Sequence, residues 1–178
     1  MITSQALIRD ARDDDMPAVQ AIYAQHVLTG IASFELQAPS VEEMHRRRGD
    51  VLSNGLPYLV AELAGEVVGY GYATLYRPRP AYGNTVEDSV YVKDGMGGRG
   101  IGQALLGEVI ERCIANGRRQ MVAVIGNSEN HGSIALHTRM GFRLVGVFES
   151  VGFKHGRWVD TVLMQRRLGD GADTLPDA

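Results

Sequence analysis

Cysteine occurs once in the 178 residues, at Cys113, which excludes an internal disulfide and a cysteine-built metal cage. Its place on the apolar side of an expected helix makes it a buried small hydrophobe rather than a catalytic thiol. An excess of either charge is missing as well: 21 Asp and Glu stand against 18 Lys and Arg, a net charge of −3. With no basic field to release counterions from a phosphate backbone, a nucleic-acid partner is not expected. The one basic run, Arg46, Arg47 and Arg48, follows Glu42 and Glu43 in a helix-like stretch and reads as a solvated helix face. No run of about 18 apolar residues is present to cross a bilayer. Met1 to Asp15 lacks the charged, apolar and small-residue order of an export signal. The expected address is the cytoplasm, with no membrane partner.

What is present is the composition of a folded domain, 44% hydrophobic and 22% charged. The pattern predicts one domain over residues 1–168 and a flexible tail over 169–178. Leu7 and Ile8 read as a short strand. Asp13, Asp14 and Asp15 open a helix with Pro17 in its first turn and Val19, Ile22 and Tyr23 at helical spacing, running to Gly30. Ile31 to Pro39 breaks that spacing, so Phe34 falls on a loop. Ser40 and Glu43 have the spacing of a capping box and start a second helix, to Leu52. Pro57–Leu63 and Val67–Tyr76 are β-rich and separated by Ala64, Gly65 and Glu66, as in an antiparallel hairpin.

An irregular segment, Arg77–Asn84, then precedes a strand over Thr85–Val92. The glycine-rich loop Gly95–Gly102 leads into a helix over Gln103–Asn116, closed by Gly117. Met121–Ile125 is continuous enough in apolar residues for a strand covered on both faces, and Asn130–Met140 reads as a helix closed by Gly141. Two last strands, Phe142–Phe148 and Val159–Gln165, are expected to flank a loop holding Lys154 to Arg157. The sum is an α/β chain built on one mixed sheet, its front half largely antiparallel.

The glycine loop is the strongest local signal. Backbone N–H groups of such a turn, continued by the unpaired N–H groups of a helix start, converge on one point and carry the positive end of the helix dipole. Gly97, Gly98, Gly100 and Gly102 leave that approach free of Cβ atoms, and Arg99 adds a cation. A phosphate-bearing ligand is therefore expected. Gly95, Gly97 and Gly100 also satisfy the dinucleotide spacing G-x-G-x-x-G, but Ile125–Gly126–Asn127 offers no acidic ribose ligand and an antiparallel hairpin precedes the loop. A Walker A loop is excluded, since no Lys followed by Ser or Thr closes it.

The strand Thr85–Val92, the loop Gly97–Gly102, Val122–Ala123–Val124–Ile125, Asn130 with Ser133, Leu136–His137, Gly141–Phe142 and Lys154–His155–Gly156–Arg157–Trp158 follow one another in a telling order. Together they resemble the GNAT acetyltransferases. Within that superfamily, the chain from Ile8 to Leu168 resembles the phosphinothricin and methionine sulfoximine or sulfone N-acetyltransferases. The resemblance implies acetyl-CoA as acetyl donor, no metal, and a homodimer with the acceptor pocket near its interface. It also implies that Val90, Tyr91 and Val92 pair with the pantetheine arm, that Gly98, Arg99, Gly100, Ile101, Gly102 and Gln103 wrap the pyrophosphate, and that Asn130 and Ser133 reach the far end of the coenzyme. One departure is visible: the superfamily usually carries Gln or Arg where this chain has Gly97.

An α-amine is protonated at neutral pH and needs a general base before it can attack a thioester. Glu87, in the strand beside the expected cofactor site, is the candidate, against the plainer reading of a solvent-facing strand residue. His137 stands where many relatives have a Tyr proposed to protonate the departing thiolate; a histidine packing its helix is the other reading. A zwitterionic acceptor also presents a carboxylate, for which Arg77, beside Tyr82, is the candidate. Phe34 resembles the aromatic wall of the acceptor pocket, and Trp158 reads as a core or interface residue. Other readings keep the fold and change the acceptor to an aminoglycoside, a polyamine or a protein N-terminus, or drop catalysis for acetyl-CoA binding alone.

Overall fold

Ala64 and Gly65 both take positive φ, 52° and 81°, the conformation of a tight two-residue reversal. Tyr58–Leu63 (β2) therefore turns directly back as Glu66–Leu75 (β3). In this computed structural model, which describes residues 5–176, the hairpin is the front of a seven-stranded sheet ordered β1-β2-β3-β4-β5-β7-β6. Leu7–Asp10 (β1) pairs antiparallel with β2, and Thr85–Val92 (β4) antiparallel with β3. The helix Ile101–Ala115 (α3) crosses over to Gln120–Gly126 (β5), which lies parallel to β4. Arg157–Arg167 (β7) inserts between β5 and the edge strand Arg143–Lys154 (β6). Because β4–β5 is the one parallel pairing among the described residues, the doubly wound dinucleotide sheet is ruled out.

Side chains on β3 and β4 alternate between two covered faces. Gly69 and Gly71 face α3, where an added Cβ would lie 3.2 Å from Leu105 and 3.3 Å from Val90 respectively. Their omission of a side chain lets α3 sit close on the sheet. The opposite face carries a row of tyrosine rings: Tyr58 and Tyr72 stack at 4.9 Å and Tyr70 on Tyr91 at 5.3 Å. The helix Met16–Thr29 (α1) covers this row, with Tyr23 edge-on to Tyr91 at 5.0 Å, alongside Val41–Ser53 (α2). The short helix His131–Arg139 (α4) lies on the α3 face, where Leu136 approaches Gly102. Cys113 is buried as expected, and burial pushes its thiol up to about 12. Among the described residues no helix is long and apolar enough to cross a membrane.

Several expectations change in detail. Asp13–Asp15 forms a 3-10 turn ahead of α1 rather than its first turn. Ser40 caps α2 by accepting from the Glu43 N–H, but the Glu43 carboxylate goes to Arg46 and Arg47, so the capping box is half formed. Arg47 also reaches Glu35 on the loop that precedes α2, and Arg48 reaches Asp13 and the Ala11 carbonyl. Two members of the basic run are thus internal ties rather than a free solvated face. Strand β5 is not covered on both faces, since Val124 is exposed. Strands β6 and β7 are longer than expected because their turn is only His155–Gly156, both at positive φ. A bulge between Phe148 and Gly152 interrupts β6, with Asp160 accepting from the Ser150 N–H. Trp158 is exposed, not core. Of the expected tail, residues 169–172 form turns and 173–176 carry no helix or strand, and Arg119 donates to Thr174 while Arg167 pairs with Asp173. Met1–Ser4, Asp177 and Ala178 lie outside the described residues.

Candidate active site

The parallel pairing of β4 with β5 lasts from Thr85–Gln120 to Glu87–Val122 and then stops. Beyond that point β5 pairs only with β7, and β4 only with β3. A wedge therefore opens in the middle of the sheet, starting at Asp88. Thr85 accepts from Tyr76 and Lys93 donates to Val68 across β3–β4. Alternation along β4 then turns the N–H and C=O of Val90 and the N–H of Val92 toward the wedge. These are unsatisfied strand-edge groups of the kind an extended amide-bearing ligand completes. The Val92 carbonyl on the same side already accepts from His26 Nε2 at 2.9 Å.

A cavity of about 730 Å³ fills the wedge and continues under the glycine loop. Val90, Tyr91 and Val92 form one wall; Gly98, Gly100, Ile101, Gly102 and Gln103 form its end; Asn130, Ser133 and His137 of α4 close the other side. Gly98 and Gly100 have φ of 74° and 79°, a conformation that any other residue would adopt only under strain. Gly100 is the N-cap of α3 and supplies no capping side chain. The first helical N–H groups, through Gln103, are thereby left to a ligand, with Ala104 the first to bond back, to the Gly100 carbonyl. This cradle suits a pyrophosphate, and the long channel suits a coenzyme arm. Asn130 spends its side-chain oxygen capping the Ser133 N–H of α4. Arg99 is exposed and does not border the cavity.

Glu87 projects to the opposite side of β4 from Asp88, onto the tyrosine face. Burial, with Asp88 adding to it, pushes the Glu87 carboxyl up to about 7, while Arg77 pulls it down. Arg77 is exposed and lies over the Tyr76 ring at 5.0 Å. Tyr82 packs edge-on against the same ring at 5.8 Å. Phe34 is partly exposed and lies across Gly152 of β6, where an added Cβ would come within 2.6 Å of its ring. The loop bearing Phe34 is fastened from below by buried Lys154, whose ammonium donates to the Ser33 carbonyl at 2.7 Å. Glu87, Arg77, Tyr82 and Phe34 thus do not line that cavity.

His137 is buried against Phe142, ring centroids 4.9 Å apart. Its Nδ1 lies 2.8 Å from the Ser133 carbonyl and its Nε2 3.0 Å from Asp88 Oδ2. Asp88, with His26, Ala32 and Arg139, borders the cavity but was not singled out by pattern. His26 is recruited by its contact with Val92 and Asp88 by its contact with His137, both far along the chain, and local spacing carries no trace of either. Among the described residues no cluster of His, Cys, Asp and Glu is arranged to hold a metal ion.

Comparison with known proteins supplies independent observations. Residues 8–163 match the family described as acetyltransferase (GNAT) domain. The chain is 54% identical to a phosphinothricin N-acetyltransferase of Alcaligenes faecalis, over 96% of this chain and 86% of that one. It is 41% identical to the L-methionine sulfoximine/L-methionine sulfone acetyltransferase of Pseudomonas aeruginosa, over 92% and 95%. Its fold superposes with a TM-score of 0.94, at 47% identity, on a GNAT superfamily phosphinothricin acetyltransferase from Sinorhizobium meliloti crystallised with AcCoA. The match covers 97% of this chain and 94% of that one.

Proposed function

Since the chain belongs to the GNAT acetyltransferases and is an acetyl-CoA-dependent N-acetyltransferase, we propose that its acceptor is the α-amine of a small amino-acid analogue such as phosphinothricin, methionine sulfoximine or methionine sulfone. The names of the relatives support that class. The observation that carries the mechanism is Glu87, half-buried with a value raised to about 7, at the point where the cofactor wedge opens. Such a carboxylate is poised to take the proton of an α-ammonium at neutral pH. The freed nitrogen attacks the thioester carbonyl directly, so no acyl-enzyme forms. The N–H of Val92, on the open side of β4, stabilises the oxyanion, and His137 returns a proton to the thiolate as coenzyme A leaves.

In this scheme Gly98, Gly100, Ile101, Gly102 and Gln103 hold the pyrophosphate, with Arg99 reaching it from the exposed rim of the loop and Asn130 and Ser133 further along the coenzyme. Arg77 and Tyr82 take the acceptor's carboxylate, and Phe34 forms the wall against its side chain. A second copy of the chain completes the enzyme as a homodimer through the exposed apolar edge of β6. Thiol release from acetyl-CoA with a panel of amines tests the acceptor class. Selective turnover of phosphinothricin, methionine sulfoximine and methionine sulfone over common amino acids, spermidine and an aminoglycoside is expected. Preference for the polyamine or aminoglycoside would move the enzyme to another acceptor class, and no turnover with bound acetyl-CoA would leave only a binding module.

A further inference from the structure

The hydrogen-bond geometry around His137 fixes how many protons its surroundings hold. Nδ1 lies 3.4 Å from the Ser133 hydroxyl and 2.8 Å from the Ser133 carbonyl; the carbonyl oxygen can only accept, and the shorter contact assigns the proton to Nδ1. A neutral ring would then direct the Nε2 lone pair at Asp88 Oδ2, 3.0 Å away, acceptor against acceptor. A second proton must lie in that contact, and the pair holds one proton more than a neutral histidine and a carboxylate would. Both side chains are inaccessible to bulk water, at 6% and 2% exposure, yet both border the cofactor cavity. Asp88 Oδ1 is buried with no hydrogen-bond partner among the described residues.

Asp88 is also the first residue of β4 beyond the β5 pairing. Its neighbour Glu87 projects to the acceptor face, so the pleat sends two adjacent carboxylates to opposite sides of the strand. We propose that Asp88 is a positioning residue that holds His137 in its doubly protonated form, as the proton donor to the thiolate that leaves the acetyl group. This rests on the acetyl-transfer reading above. The carbon–nitrogen bond forms, the carbon–sulfur bond breaks with its electron pair going to sulfur, and the extra proton of the pair passes to sulfur. Neutral His137 is left opposite ionised Asp88, to be reprotonated from solvent between turnovers. The base for the amine and the support for the acid thus come from consecutive residues of one strand.

Two consequences follow for a neutral substitution. Burial lowers the His137 value and Asp88, with the Ser133 contact, outweighs it to leave it raised; burial raises the Glu87 value and Asp88 adds to that. The other group acting on His137 is the uncharged Ser133 carbonyl, and Cys113 of α3, near Asp88, stays a neutral thiol. In Asp88→Asn both limbs of the kcat profile move to lower pH, the acid limb through Glu87 and the alkaline limb through His137. A role confined to packing lowers the rate without moving either limb.

The first measurement is an imidazole NMR titration of His137 in wild type and Asp88→Asn, which needs no turnover. A His137 midpoint that falls by one unit or more, with kcat down roughly tenfold or more, is expected; an unchanged midpoint overturns the proposal. If Asp88→Asn does not fold, Asp88→Glu, which keeps the charge and shifts its reach, is to retain a raised His137 midpoint with reduced kcat. In a His137→Asn background, which removes the group behind the alkaline limb, replacing Asp88 is expected to change the pH profile only through Glu87, and a shift on the alkaline side also overturns the proposal. Wild type with a raised His137 midpoint but no turnover of any amine defeats the acetyl-transfer reading instead.

Discussion

Burial gives Glu87 a property its residue type does not have in water. Its value of about 7 means that its charge changes in the working range of the enzyme. A base whose value is raised is protonated and idle below that pH and active above it, so kcat for the amine is expected to climb through about pH 7 and to fall again only on the alkaline limb, where His137 loses its proton. Replacing Arg77, whose charge lowers the Glu87 value, by Met moves that acid limb to higher pH. Glu87→Gln is expected to cut kcat by about 10²- to 10⁴-fold while acetyl-CoA binding, measured by calorimetry, stays within a small factor, because Glu87 does not border the cofactor cavity. Undiminished turnover in Glu87→Gln would move the base elsewhere. Glu87 is singled out in the sequence because an amine needs a base beside the expected cofactor strand, and His137 because of the position the family resemblance gives it. Asp88 is not: its partner lies 49 residues away, and a carboxylate in a β-run looks the same whether it faces water or a buried imidazole.

At the level of elements, the loop between α1 and α2 is held down by the absence of side chains at Gly126 and Gly152. An added Cβ at Gly126, at the end of β5, would lie 2.7 Å from the Ala32 carbonyl oxygen and 2.8 Å from that of Ile31, contacts that backbone cannot relieve without moving the loop. Gly126→Ala is therefore expected to lower stability by about 1–3 kcal/mol and to raise KM for the amine by displacing Phe34. Gly49→Ala, inside α2 with nothing within 4 Å, is expected to raise stability by about 0.5–1 kcal/mol. Urea unfolding of the two variants checks both signs, and equal effects would show that loop contact is not what Gly126 serves. The same scale explains which elements could be read in advance. Turn chemistry at Ala64–Gly65, the caps at Ser40 and Gly117 and the helical spacing of Leu105, Leu106 and Val109 are local, and the elements they bound were placed within a few residues. The parting of β4 from β5 is a matter of pairing, and nothing within Thr85–Val92 announces it. The bulge near Ser150 cut the apolar alternation of β6, so the strand looked shorter than it is.

For the whole molecule, the edge strand β6 is the feature that a lone copy leaves unexplained. It pairs with β7 on one side only among the described residues. Phe148 is 55% exposed, Phe153 58% and, on β7, Trp158 66%. A long unpaired edge flanked by large apolar side chains invites association, and natural sheets blunt such edges with charge or cover them. A two-fold related copy would cover this one with the same strand. The acceptor side is continuous with the edge, since Gly152 of β6 supports Phe34 and Lys154 at the end of β6 holds the Ser33 carbonyl. Sedimentation velocity of the wild type is therefore expected to give twice the chain mass. Charge placed on the edge, as Phe148→Lys with Phe153→Lys, is expected to give a folded monomer by the same measurement and by circular dichroism. If dimerisation braces the loop of Phe34, KM for the amine rises in that monomer, while acetyl-CoA, which the proposal places on β4, the glycine loop and α4, binds as before. A wild-type monomer would remove the dimer altogether. A monomeric variant with unchanged amine KM would leave the dimer standing but sever it from the acceptor site.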